Sequence, residues 1–213
     1  CCLFDVASVL KGGFEMGNVW YNEPKTLDTA FDVMGDIILS TAAQQYGGFT
    51  VPEVDKILAP YAEKSYRKYR EEFLAYADPS WQGIGEKAEV YAWDKVRRDC
   101  DQGWQGIEYK LNTVGSSRGD YPFVTVTLGL GCSRFEKMIS LSLLNVHREG
   151  QGKAGQKSPV LFPKSVFLYD KAIHEPGGIC EDVFEAGVAC SAKTMYPDWL
   201  SMSGEGYISS MYK

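Results

Sequence analysis

The segment that most limits what this chain can fold into runs from residue 122 to about residue 147. Residues 122–128 (PFVTVTL) are dense in β-branched side chains and read as a strand. Gly129-Leu130-Gly131 ends that strand, and Ser133 is a cap for a helix through about His147. A strand that passes through a glycine turn into a capped helix is the repeating unit of α/β folds, because a crossover must precede each parallel neighbour. The unit recurs downstream. Residues 160–169 (VLFPKSVFLY) form a second apolar strand, with Pro163 marking a bulge or an edge, and residues 181–193 form a helix that ends before Tyr196-Pro197.

Upstream, residues 3–10 read as a buried strand leading into Gly12-Gly13. Thr26 or Asp28 caps a helix to about Gln45, with Ala30, Val33, Met34, Ile37, Ile38 and Ala42 on one face. A second helix starts near Val51-Pro52 and carries Val54, Ile57, Leu58, Tyr61 and Ala62, with Pro60 as a kink point. Residues 63–76 read as a charged, tyrosine-rich helix, and residues 86–104 as another with Val90, Trp93, Val96 and Cys100 in its stripe. The block 27–106 therefore reads as several helices inserted into an α/β scheme, and 78–85 and 150–157 read as loops.

Composition narrows the function classes. The chain has 213 residues, 45% hydrophobic and 23% charged, which excludes a disordered or coiled-coil chain. At this size roughly 70% of the unfolded surface is buried on folding, so one large domain or two small ones fit. The net charge of −6 opposes a phosphate-tracking surface, so no direct nucleic-acid partner is expected, although a few local donors suffice for a nucleotide. The longest nearly uncharged run, 37–52, is too short and too polar to span a bilayer. No secretory signal precedes CCLFD, and an opening without Met points to a lost or processed end. Six cysteines without secretory features read as reduced, cytoplasmic thiols. With no CxxC, and His147 and His174 apart in sequence, no metal site is expected within the chain.

Several groups are candidates for chemistry. Cys1 at a chain terminus suits a nucleophile activated by its own α-amino group, while Cys1-Cys2 equally suits a fragment boundary or a buried strand. Neighbours in a strand face opposite sides, so at most one of the pair faces a given cavity. The turn Gly129, Gly131, Cys132, Ser133 offers backbone N–H groups to an anion, or is simply a tight connection; the P-loop signature is absent. Cys190 reads as a buried thiol, Arg118 as part of a solvated turn or a contact for an anion, and the basic, tyrosine-rich run 64–70 as a solvated face or a phosphate contact.

The stretches CCLFD, KGGFEMGN, QYGGFTVPEVDKILAPY, IEYKLNT, PFVTVTLGLG, VLFPKSVFLYD and CSAKTMYPDW occur in the order found in one family. Over nearly its whole length the chain resembles the class III anaerobic ribonucleoside-triphosphate reductases, which are glycyl-radical enzymes. The resemblance implies a partial ten-stranded α/β barrel over 1–213, with 27–106 as its helical effector and dimer region. It implies reduction of ribonucleoside triphosphates to the 2′-deoxy form with formate as reductant, through a glycyl radical made by an S-adenosylmethionine-dependent activase with a 4Fe–4S cluster. A thiyl radical on a loop-tip cysteine takes the ribose 3′-hydrogen, and a strand cysteine, matching Cys1 in preference to Cys2, helps remove the 2′-hydroxyl. Gly129, Gly131, Cys132 and Ser133 match a substrate-side turn that usually has Thr at the position of Cys132. Lys25, Thr26 and Lys68 match the region that binds ATP or deoxynucleoside triphosphate effectors at a homodimer interface; Asn22 and Asp36 stand where relatives have Glu and Gln. The loop-tip cysteine, the glycyl-radical motif and a structural zinc site are expected beyond Lys213, and an ATP-binding regulatory domain upstream. The chain alone is then expected to be inactive without the remaining reductase polypeptide. The alternatives are a nucleotide-binding remnant without chemistry and an N-terminal-Cys amidohydrolase.

Overall fold

The computed structural model describes residues 2–45, 47–113, 115 and 119–204, with Cys2 described through its backbone alone. Its frame is a five-stranded sheet of β1 (Cys2–Leu3), β4 (Phe49–Val51), β5 (Val124–Leu128), β8 (Lys164–Tyr169) and β9 (Asp198–Ser201), in that spatial order. Every pairing is parallel, in registers such as Val51 opposite Val126 and Leu128 opposite Phe167. Each strand joins on the same side of the one before it. With right-handed crossovers, that progression puts the connecting helices on one face and leaves the other to be covered by something else.

Burial follows this division along most of the strands, with Thr127 and Leu168 near the carboxyl ends buried on the opposite face. Phe49, Val51, Val124, Val126 and Phe167 are buried in the core shared with the helices, whereas Leu3, Thr50, Thr125, Lys164, Val166, Asp198 and Leu200 on the opposite face are half-buried or exposed. A cluster packs between sheet and helices: Phe167 stands 4.7 Å from the Trp199 ring, and a Cβ on Gly187 would sit about 3.0 Å from Trp199.

The helices are α1 (Val6–Leu10), α2 (Leu27–Gln44), α3 (Val54–Tyr76), α4 (Ile84–Thr113), α5 (Arg134–Glu149), α6 (Lys171–His174) and α7 (Glu181–Thr194). Two hairpins, β2 (Phe14–Met16) with β3 (Val19–Tyr21) and β6 (Gln151–Lys153) with β7 (Gln156–Ser158), lie outside the main sheet.

Several expectations change here. The apolar stretch 3–10 is not one strand: after β1, Asp5 accepts the Ser8 N–H and nucleates α1, whose Val6 and Leu10 are buried one turn apart. The region 51–76 is not two helices starting at Val51-Pro52. Phe49–Val51 is a strand too short to show a period, and α3 runs unbroken from Val54 through Pro60 to Tyr76. The segment 150–157 is a hairpin region rather than a loop, and the exposed Val90 does not belong to the buried stripe of α4. The expected stripe of α2 is present, with Ala30, Val33, Met34, Ile37 and Ile38 buried. Strand β4 divides the helical block, so α2 is the crossover from β1 to β4, and α3 with α4 is the crossover from β4 to β5.

Candidate functional site at the carboxyl ends of the strands

In parallel sheets the strand-to-helix connections gather at the carboxyl ends of the strands, where ligands bind. Here those connections are tied into one hydrogen-bonded rim. The Glu53 N–H after β4 donates to Thr127 Oγ1 of β5 at 2.8 Å. In the first turn of α3, buried Asp55 reaches across with Oδ2 and accepts the N–H groups of Gly129 and Gly131, both at 3.1 Å, and the Ser140 hydroxyl at 3.2 Å. Burial raises the Asp55 pKa above the usual carboxylate range, against the opposing pull of these donors.

The rim continues through His174. Its Nδ1 accepts the Asp170 N–H at 2.9 Å, so the proton sits on Nε2, which donates to the Gly129 carbonyl at 2.8 Å. Burial lowers the His174 pKa and favours this neutral ring. Asp170 in turn accepts the Ser203 hydroxyl at 3.1 Å, just past β9. The ends of β4, β5, β8 and β9 are thereby fixed relative to one another, and the Phe4 N–H to Thr50 carbonyl bond adds β1.

Beside β1 and β4, next to Glu53 of this rim, lies an open pocket of about 370 Å³ lined by Leu3, Asp5, Ala7, Pro52, Glu53, Lys56 and Ile57. Glu53 holds a left-handed backbone, φ 47° and ψ 54°, which is uncommon for a residue with a side chain. Its carboxylate pairs with Lys56 Nζ at 2.5 Å. The cavity thus combines carboxylates, an ammonium group and an apolar wall, a set suited to a polyhydroxylated or charged ligand.

The predicted residues fall as follows. Cys1 lies outside the described residues, and Cys2 opens β1 opposite Phe49. Gly129 and Gly131 occupy the expected turn, but their N–H groups are held by Asp55. The Ser133 N–H is likewise taken by Glu136 in a capping box at the start of α5. Contacts from this turn to a ligand must therefore come from its other atoms. Cys132 is half-buried, with Sγ 3.5 Å from Cys180 Sγ.

Thr26 is the N-cap residue of α2, with Oγ1 3.0 Å from Thr29 Oγ1; Lys25 and Lys68 are exposed. The Leu27 N–H donates to buried Ser65 at 2.8 Å, which seats the start of α2 on α3 one turn before Lys68. Asn22 is exposed, and Asp36 lies 3.9 Å from Lys110 Nζ. Cys190 is buried in α7, as expected. Residues 116–118, including Arg118, lie outside the described residues.

Asp55, Glu53 and His174 carried no sequence signal that singled them out. An acid in the first turn of a helix is ordinary, and only the fold brings it to a glycine turn 74 residues away. His147 also takes a structural place, with Nδ1 2.9 Å from buried Glu108. Among the described residues no cluster of His, Cys, Asp and Glu is suited to a metal ion, and no helix is long and apolar enough to cross a membrane.

The sequence profile of the family described as anaerobic ribonucleoside-triphosphate reductase matches residues 1–212. The chain belongs to the anaerobic ribonucleoside-triphosphate reductase family. It is 34% identical over 214 residues to the enzyme of that name from Salmonella typhimurium, covering all of this chain and 29% of that protein. It is 36% identical over 205 residues to the one from Enterobacteria phage T4, covering 94% of this chain and 32% of that protein. The chain thus spans about a third of the length of these curated relatives. The fold matches the crystal structure of the anaerobic ribonucleotide reductase from Thermotoga maritima in complex with dATP and CTP. That match has a TM-score of 0.63 at 12% identity, over 96% of this chain and 33% of that one. The α/β class with a parallel sheet is the fold expected from the resemblance.

Proposed function

We propose that this chain forms part of an anaerobic reductase that converts ribonucleoside triphosphates to 2′-deoxyribonucleoside triphosphates by radical chemistry. One observation carries the reading: the family matches residues 1–212, and Cys2, the sequence neighbour of Cys1, opens the first strand of the parallel sheet. In this reading a thiol of that pair, Cys1 in preference to Cys2, stands beside the ribose and supplies a proton and a hydrogen-atom equivalent as the 2′-hydroxyl leaves. The polar cavity lined by Asp5, Glu53 and Lys56 supports a ribose-sized ligand beside β1. The turn Gly129, Gly131, Cys132, Ser133 frames the substrate from the end of β5.

The radical itself belongs to a glycine elsewhere in the full polypeptide, generated by a radical S-adenosylmethionine activase with a 4Fe–4S cluster. Formate as reductant, a structural zinc site and a cytoplasmic location belong to the same reading. The dATP and CTP named for the Thermotoga maritima structure support nucleotide effectors and substrates. Lys25, Thr26 and Lys68 are the effector-phosphate contacts on this view, and the helical region 27–106 joins two copies of the enzyme. The family membership lends nothing to an amidohydrolase.

The test is single replacement of each cysteine, Cys1→Ser and Cys2→Ser, in the full-length reductase, followed by dCTP formation from CTP after anaerobic activation with formate present. Cys1→Ser should lose turnover by roughly a thousandfold or more, with nucleotide binding retained. Wild-type turnover in both variants would remove the pair from the chemistry.

A further inference from the structure

A second pair of cysteines joins Cys132, in the turn after β5, to Cys180, and neither is a thiol given a chemical step above. Cys132 Sγ and Cys180 Sγ, 48 residues apart in the chain, lie 3.5 Å from each other, and both are free thiols. Cys180 is the buried N-cap residue of α7, and its thiol also donates to the Gly131 carbonyl at 3.4 Å. Cys132 is half-buried and lines a groove of about 780 Å³ with Trp93, Arg134, Lys137 and Ile179. One thiol is therefore reachable from outside, and the other waits directly behind it. A disulfide needs an S–S separation of about 2.05 Å, so the sulfurs must close by about 1.5 Å.

We propose that Cys132 and Cys180 form a hydroperoxide-reactive dithiol that closes to a disulfide, strapping the turn after β5 to the first turn of α7. Cys132 sulfur attacks one peroxide oxygen; the O–O bond breaks, a sulfenic acid forms and the first water leaves. Cys180 sulfur then displaces the sulfenic hydroxyl, forming the S–S bond and releasing a second water. The two thiol protons end in the two waters, and one hydrogen peroxide is reduced for each disulfide. Cys132 lines the groove while Cys180 is buried behind it, so peroxide meets the Cys132 sulfur first; burial and the Cys132 sulfur also push Cys180 up to about 12. Closure removes the Cys180 bond to Gly131, whose own N–H is held by Asp55, and so reaches into the rim of the sheet. The proposal stands whether or not the protein reduces nucleotides.

The experiment uses the full-length protein, reduced, freed of reductant and exposed to one equivalent of hydrogen peroxide without air. Free thiols are then alkylated. Digestion uses trypsin with a glutamyl endopeptidase that cuts after Glu181, separating Cys180 from Cys190. The expected product is a cross-linked pair of peptides holding Cys132 and Cys180, reversed by dithiothreitol. Reduced Cys132 should disappear roughly tenfold faster than the buried Cys100 and Cys190. Phenylarsine oxide, which grips paired thiols, should protect both cysteines from alkylation in unoxidised protein, and Cys132→Ser should abolish both effects with the circular dichroism unchanged. Cys132 driven to sulfinic acid while Cys180 stays alkylatable overturns the proposal, as does a lack of arsenical protection.

Discussion

Asp55 shows how one side chain can define a site. Its carboxylate does for the turn after β5 what a bound anion does for a phosphate loop, drawing two backbone N–H groups inward. A Cβ at Gly131 would lie 2.5 Å from Glu136 Cβ and 2.8 Å from Asp55 Oδ2, so glycine is required for that approach. Asp55→Ala leaves buried N–H groups without an acceptor and should lower stability by about 3 kcal/mol or more in urea unfolding, with Asp55→Asn losing less. A loss under about 0.5 kcal/mol would mean that water replaces the carboxylate. The glycines and Ser133 were legible as a turn into a helix. The acceptor that fills the turn was not, because it comes from a helix start whose local sequence is unexceptional.

Among the elements, α2 and α4 set a case where geometry opposes propensity. Gly103 sits within α4, and a Cβ there would fall 2.1 Å from the Phe31 ring of α2, which packs edge-on to Trp104 at a centroid distance of 5.0 Å. Helix propensity alone favours Gly103→Ala by about 1 kcal/mol. The crowding instead predicts destabilisation by about 1–3 kcal/mol and altered tryptophan fluorescence as α2 is pushed from Trp104. Thermal unfolding decides the sign. At α5 both sides of the capping box are made, Ser133 Oγ to the Glu136 N–H and Glu136 to the Ser133 N–H, so Ser133→Ala should cost about 1 kcal/mol in the same measurement. Long periodic helices were readable because their stripes repeat over several turns. Strands β4 and β9 were not, since three or four residues hold no period that separates strand from loop, and the strand read over 3–10 is only Cys2–Leu3.

At the scale of the whole molecule, His174 joins the ends of β5 and β8 as a buried neutral ring. Its folded pKa lies below the 6.5 of a free histidine, so the unfolded chain takes up the proton first as pH falls. The stability it supports is fully present above pH 6.5 and is lost as pH falls toward the lowered folded value, by at most about 1.4 kcal/mol per pH unit. Between pH 7 and about 5.5, His174→Gln should therefore show a shallower decline of unfolding free energy than the parent protein; equal slopes would place the titration elsewhere. By itself the amino-acid sequence determined the α/β class, the long helices, the capped turn after β5 and the family, because each rests on local periodicity or on motifs in fixed order. Only the tertiary structure decided that the strands add one after another in a single direction and that Asp55 and His174 close the rim. It also decided that Cys132 meets Cys180. Those facts depend on contacts between residues tens of positions apart, which parallel pairing and crossover geometry create and no local pattern records.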